Sequence, residues 1–152
     1  MYTIANARLN ETPSKLIKIA AIIGIVWYAF GLLQFWLAYS LDTSAAVSAG
    51  EITTAHGAAL SGTPALIWLS FAVASLAGLI GSILLALGLA TAVMSYGISL
   101  IAAVIYYAWV YGLSGTGADR PQEEIYIAIV VVAVTAAFFF ISKRAAKQRQ
   151  RP

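Results

Sequence analysis

Four apolar blocks, each about as long as one membrane crossing, constrain this chain more than any other feature. They span residues 19–39, 65–88, 92–113 and 125–142. Crossing a hydrocarbon core takes about 20 apolar residues at a rise of about 1.5 Å each. Because lipid offers backbone amides no hydrogen-bond partners, each block should be a helix. The blocks predict an all-α membrane protein, an antiparallel bundle of four transmembrane helices.

The predicted bundle is a single domain that covers residues 1–152. Its composition agrees, since 61% of the residues are hydrophobic and 10% are charged, whereas a soluble domain has about 45–50% apolar and about 25% charged residues. The predicted helices cover about 14–39, 64–88, 91–113 and 121–145, with outer loops at 40–63 and 114–120 and a basic C-terminal tail at 143–152.

The first block is interpreted as an uncleaved anchor and not as a signal peptide. Its apolar core is longer than the roughly 7–15 residues of a signal peptide. It also contains Trp27, Tyr28 and Trp36.

Prolines indicate where three of the helices begin. Thr12-Pro13, Thr63-Pro64 and Arg120-Pro121 each place proline at a first helical position, where its missing N–H costs nothing. The two threonines are candidate caps. After Pro121, Glu123 and Glu124 suit the positive end of the fourth helix's dipole. The short link at 88–91 predicts a tight antiparallel hairpin between the second and third helices.

The basic residues predict the orientation of the chain. Only Arg120 lies between helices, and the positive-inside rule makes the side with the other eight cytoplasmic. Both termini are therefore predicted to be cytoplasmic, in the inner membrane of a bacterium. Those eight are Arg8, Lys15, Lys18, Lys143, Arg144, Lys147, Arg149 and Arg151.

The charged C-terminal tail has two interpretations. Lys143, Arg144 and Lys147 could contact anionic lipid headgroups at about 1 kcal/mol per charge, or the tail could be only a topological stop signal. Membrane lipids are the expected partners, and binding to nucleic acid is not expected.

Small residues at four-residue spacing predict how the helices pack, because close approach drives helix association in lipid. The second helix has such a row, so we expect it to be the most buried. Its small residues could serve packing within the chain or a homodimer seam. The bulky fourth helix is predicted to be peripheral. The packing residues are Ala74, Gly78, Gly81 and Ser82.

The outer loop at 40–63 is longer than a connector needs, and long loops are often functional or mobile. A short surface helix is predicted over 44–60, interrupted near Gly50 and Gly57. Its Glu51 and the only histidine, His56, are too few for a metal site.

The chemistry of the predicted spans excludes several functions. Apart from Lys18 at the inner edge, the apolar interiors of the four helices contain no Asp, Glu, Lys, Arg or His. Proton-coupled transporters need such groups, so the small multidrug-resistance exporters, which use a membrane-embedded glutamate, are a poor match. With no cysteine, nucleophile–base pair or phosphate-binding loop, no catalytic residue and no cofactor are predicted.

Gln34 is the one amide inside an apolar run. An unpartnered amide in hydrocarbon costs several kcal/mol, so one interpretation is a hydrogen bond to Ser70, Tyr106 or Tyr107. The other is a polar contact in an outward-opening ligand pocket. That pocket would be lined by Trp27, Gln34, Trp68 and Tyr107.

Three short motifs carry a family resemblance. The stretches WYAFGLLQ at 27–34, PALIW at 64–68 and GLIGSILL at 78–85 resemble a group of small four-helix bacterial inner-membrane proteins of unknown function, often labelled "sugar transporter". The resemblance covers roughly residues 13–115. It departs at Tyr28 and Gln34, where the family pattern has asparagine and aspartate, and it lacks a basic cluster between the second and third helices.

Two classes of non-enzymatic function follow. The first is an accessory or assembly protein, or one that binds a small ligand or lipid. The second, which the family label implies, is a small oligomeric solute transporter without ion coupling. Homo-oligomers or a larger membrane complex are the expected assemblies.

Overall fold

The computed structural model describes residues 14–115 and 122–148, and every regular element in these ranges is a helix. Four of the helices are long and apolar enough to cross a membrane, namely α1, α4, α5 with its π-helical extension, and α6. The prediction of an all-helical chain with four such helices is confirmed. The elements are α1 (Lys15–Tyr39), α2 (Thr43–Ser48), α3 (Thr54–Ser61), α4 (Ala65–Ala86), α5 (Ala92–Ala108) continued by the π turn Trp109–Leu113, and α6 (Gln122–Gln148).

Side-chain caps begin the first three helices. Ser14 accepts the Ile17 amide of α1, and Thr53 accepts the His56 amide of α3. Asp42 caps α2, and the Ser44 hydroxyl that donates to it at 2.6 Å lowers the pKa of its carboxyl. The two short helices α2 and α3 lie between α1 and α4 in the chain, at one end of the molecule that we call the loop end.

The proline predictions are met in part. Pro64 is the N-cap of α4 and not its first helical residue. The prediction that Thr63 caps this helix is wrong, because its hydroxyl donates to the Ala59 carbonyl of α3 at 2.9 Å. Glu123 and Glu124 do lie in the first turn of α6. Thr12-Pro13 and Arg120-Pro121 lie outside the described residues.

The predicted surface helix is two short helices, α2 and α3, that pack on each other. Gly50 (φ +72°) lies in the turn between them, as expected for a position that favours glycine. The prediction of a second break at Gly57 is wrong, because this residue is buried inside α3. A Cβ at Gly57 would lie 2.7 Å from Cγ2 of Val47.

α1 and α4 pack antiparallel along one line of contacts. Gly31 lies beside Ser75, and Phe35 meets Phe71 edge-on at 5.8 Å between ring centroids. The closest approach is at Gly78, where any side chain would overlap the ring of Tyr28. The absence of a side chain at this position therefore sets the distance between the two helices.

α4 and α5 form the predicted hairpin, which turns at Gly88 (φ +75°). Two polar contacts hold it along its length. The Ser99 hydroxyl donates to the Ala74 carbonyl at 2.6 Å, and the Ser82 and Tyr96 hydroxyls are 2.9 Å apart. Such contacts compensate buried hydroxyls that lipid could not satisfy.

α6 packs on α5, and it meets α1 mainly at one aromatic cluster, which we call the Tyr28–Tyr96–Phe138 cluster. Phe138 stacks on Tyr96 with 5.6 Å between centroids and lies 5.9 Å from Tyr28. Towards the loop end, α1 and α6 diverge.

Burial is distributed differently from the prediction. α4 and α5 are about equally buried, so the second span is not more buried than the third, contrary to the prediction. α1 and α6 are both less buried than α4 and α5. α6 packs mainly on α5, whereas α1 packs mainly on α4.

We predict that Gly78→Ala destabilises the protein by about 1–3 kcal/mol, since the new methyl group would force the Tyr28 ring to move. Gly97→Ala is the matched control inside α5. Its Cβ would lie 3.5 Å from Phe139, an ordinary contact. Thermal unfolding in detergent should show a lower Tm for Gly78→Ala alone, and equal Tm values for the two variants would contradict the packing described.

Candidate functional site

A cavity of about 750 Å³ lies between α1 and α6, on the loop-end side of the Tyr28–Tyr96–Phe138 cluster. All four long helices and α3 contribute to its walls. It is partly open, because α1 and α6 separate beyond Tyr28. Phe30, Leu37 and Ile127 line the opening and are each more than half exposed.

The walls of this cavity are mainly aromatic and aliphatic. Its polar rim is formed by His56 of α3 and Glu124 of α6, whose Nε2 and Oε1 atoms are 3.6 Å apart. The attraction between them requires a protonated imidazole. Among the described lining residues these are the only ones of the Asp, Glu, Lys, Arg and His types.

The four residues predicted as a pocket all line this one cavity. Trp27 and Gln34 come from α1, Trp68 from α4 and Tyr107 from α5. These residues come from three different spans and become neighbours because α4 packs against both α1 and α5.

Two of the three partners considered for Gln34 in an interhelical hydrogen bond, Ser70 and Tyr107, do not bond to it. The Gln34 side chain is exposed, and within the described residues no hydrogen bond joins it to Ser70 or Tyr107. Ser70 instead donates to the Ile67 carbonyl of its own helix at 2.7 Å. The amide of Gln34 therefore faces the cavity and its opening.

The deep end of the cavity holds a polar group that the sequence did not indicate. Tyr28 is only 4% exposed and lines the cavity, yet its Oη has no hydrogen-bond partner among the described residues. The hydroxyls of Ser99 and Thr135 lie near it without reaching hydrogen-bond geometry. Both already donate to backbone carbonyls, of Ala74 and Val131 respectively.

Of the other predicted site residues, Ala74 also lines the cavity and packs on α5. The rest lie elsewhere. Gly81 faces α5, and a Cβ at this position would lie 3.2 Å from the Tyr96 ring. Gly78 and Ser82 face α1, at Tyr28 and Gly24. Lys143, Arg144 and Lys147 lie on the last turns of α6.

The outer-loop residues considered for a metal are not neighbours in a ligand set. His56 pairs with Glu124 and not with Glu51. Across residues 14–115 and 122–148, no group of three or more His, Asp or Glu side chains could hold a metal ion.

Comparison with known proteins adds no family: no protein-family model, no curated protein and no solved structure matches this chain. The resemblance to small inner-membrane proteins therefore stays a prediction from the three short motifs. The site must be interpreted from its own geometry.

The hydroxyl of Tyr28, which has no partner among the described residues, allows the site to be tested before any ligand is known. We predict that Tyr28→Phe leaves the Tm unchanged or raises it, because a buried donor without a partner costs free energy in the empty protein. Tyr96→Phe removes an oxygen that is bonded to Ser82, and should cost about 0.5–1.5 kcal/mol.

Thermal unfolding of the two variants beside the unmodified chain is the measurement. They belong to the same aromatic cluster, so each is the other's control. A clear loss of stability in Tyr28→Phe would show that its hydroxyl is bonded, against the geometry described here.

Proposed function

We propose that this chain is a non-enzymatic membrane protein that binds a lipid-soluble molecule in the cavity between α1 and α6. It would be a four-span bundle of the bacterial inner membrane with both termini in the cytoplasm. Of the functions that the sequence leaves open, binding of a small ligand or lipid is the one that the cavity supports best.

The observation that carries this proposal is the chemistry of the cavity wall. Ligand sites of roughly 300–1,000 Å³ are typically apolar with a few placed polar groups, and the 750 Å³ cavity fits that description. Its surface is mainly apolar. Its polar groups are the hydroxyls at the deep end, Gln34 at the side, the His56–Glu124 pair at the rim, and the polar atoms of the aromatic wall on Trp27, Trp68, Tyr106, Tyr107 and Tyr111. Such a site favours a mainly apolar ligand.

The same wall argues against a sugar. A sugar carries a hydroxyl on almost every carbon, and each needs a hydrogen-bond partner once it leaves water. Leu37, Phe71 and Ile127 offer none, and the indole of Trp68 offers only a donor. The transporter label attached to the resembling family is therefore the weaker alternative for this chain.

The opening of the cavity suits a ligand that arrives through the membrane. It lies between α1 and α6, and the exposed residues beside it, such as Phe30 and Leu37, are apolar. In a bilayer these two helices would face lipid. A molecule dissolved in the membrane could therefore reach the cavity without crossing water.

The charge distribution supports the proposed orientation. The loop end carries Asp42, Glu51, Glu123 and Glu124, and the opposite end carries the basic residues of α6. The positive-inside rule places the basic end in the cytoplasm. The cavity would then lie in the outer half of the bilayer, and Lys143, Arg144 and Lys147 would meet the headgroups of the inner leaflet.

We predict that the protein retains a lipid-soluble molecule when it is extracted in mild detergent, and that Ala38→Trp abolishes this. Ala38 lines the cavity, so an indole there would occupy ligand space. Ala29→Trp is the matched control on the exposed face of the same helix. Native mass spectrometry of the three proteins measures the retained mass.

The unmodified chain and Ala29→Trp should carry the same additional mass, and Ala38→Trp should carry little of it. Equal retention in all three would show that lipid binds outside the cavity. No retention in any, together with sugar uptake by proteoliposomes, would replace the proposal with the transporter alternative.

A further inference from the structure

We infer that the ligand is a lipid quinone, that is, a flat conjugated ring bearing carbonyl acceptors on a long apolar chain. This inference rests on the proposed function and specifies its ligand class. Three features of the cavity carry it: a hydrogen-bond donor at its deep end, an aromatic wall and an opening between helices.

The donor is the hydroxyl of Tyr28. It is buried, lines the cavity and has no partner among the described residues. The nearby hydroxyls of Ser99 and Thr135 donate their protons to backbone carbonyls, and neither oxygen stands in hydrogen-bond geometry to accept from Tyr28. The Tyr28 proton is therefore left without an acceptor at the deep end. A carbonyl oxygen supplies one without adding a donor of its own.

The wall is a continuous run of rings on α4 and α5. Tyr106 lies 4.8 Å from Phe71 and 5.1 Å from Tyr107 between centroids, and Trp68 adjoins it at 6.4 Å. Aromatic rings at such distances attract other flat rings by offset or edge-to-face contact. A conjugated ring suits this wall better than a saturated chain does.

The opening of the cavity leaves a path for the long apolar chain of such a ligand. The cavity has room for a ring and the first part of a chain. Phe30, Leu37 and Ile127 line the way out between α1 and α6. The rest of an isoprenoid or alkyl chain would then continue into the bilayer, where its apolar surface is already solvated.

The charge of the site agrees with a neutral head. His56 and Glu124 are engaged with each other at the rim, and the described lining offers no other cation for a phosphate or carboxylate. A charged lipid headgroup would therefore lose its hydration without gaining a counter-ion. A quinone ring carries no charge to compensate.

The test uses decyl-benzoquinone as the probe and tryptophan fluorescence as the readout, because quinones quench indoles. Trp27 and Trp68 line the cavity, whereas Trp36 and Trp109 do not. In a Trp36→Phe/Trp109→Phe background, the remaining indoles report on the cavity. Decylbenzene, which has the ring and the chain but no carbonyl, is the competitor.

We expect saturable quenching by the quinone, and displacement of the quinone by decylbenzene with an affinity at least about 10-fold weaker than that of the quinone itself. Tyr28→Phe should weaken quinone binding roughly 3- to 10-fold, the worth of one hydrogen bond. Tyr96→Phe should leave it unchanged, since that hydroxyl is bonded to Ser82 and lies outside the cavity lining. Should Tyr28→Phe fail to fold, competition by decylbenzene on the unmodified chain still tests the inference.

The outcomes separate this inference from the proposed function. Equal binding of decylbenzene and quinone, or an unchanged affinity in Tyr28→Phe, would overturn carbonyl recognition. Absence of saturable quinone binding, with a cavity-dependent mass still seen by native mass spectrometry, would overturn the quinone class and leave the proposed function standing. Absence of both would overturn both.

Discussion

The ring of Tyr28 occupies the space that a side chain at position 78 would need. The rest of the structure depends on this contact between Tyr28 and Gly78. It brings α1 against α4 closely enough for Tyr28 to reach Tyr96 and Phe138, so that all four long helices meet at one cluster. In lipid there is no hydrophobic force to pull apolar helices together. The helices are therefore held together by close packing at a residue without a side chain and by a few hydroxyl contacts.

The cavity is a consequence of the same contact. Phe138 holds α6 to α1 at the cluster, and beyond it no comparable contact joins these two helices. Large rings on α4 and α5 then line the space instead of filling it. A soluble protein would lose free energy by keeping an apolar space of this size open to water. A membrane protein can exchange such a space with lipid-soluble molecules, and the functional proposal follows from that difference.

The sequence was sufficient for the spans and insufficient for the site. Block lengths and composition predict the four apolar helices, because the thickness of a bilayer constrains them directly. Local capping was less predictable. The Thr63 hydroxyl lies between α3 and α4, and it donates to the Ala59 carbonyl of α3 instead of capping α4. The exposure of α1 and the partnerless hydroxyl of Tyr28 depend on how helices that are distant in the sequence pack together. The periodicity of the sequence does not indicate this packing. The His56–Glu124 pair joins residues 68 positions apart, and nothing in their separate surroundings predicts it.

The central claim is that α1 and α6 stand apart at the loop end, so that Gln34 faces a space open to the bilayer. The chain has no cysteine, so a spin label can be placed at Gln34→Cys and, as a neighbouring lipid-facing control, at Leu33→Cys. Electron paramagnetic resonance in liposomes measures label mobility and collision with dissolved oxygen. We expect both labels to be mobile and accessible to oxygen. A label at position 34 that is immobile and shielded, beside a mobile one at position 33, would show that the helices close on each other and would contradict the account.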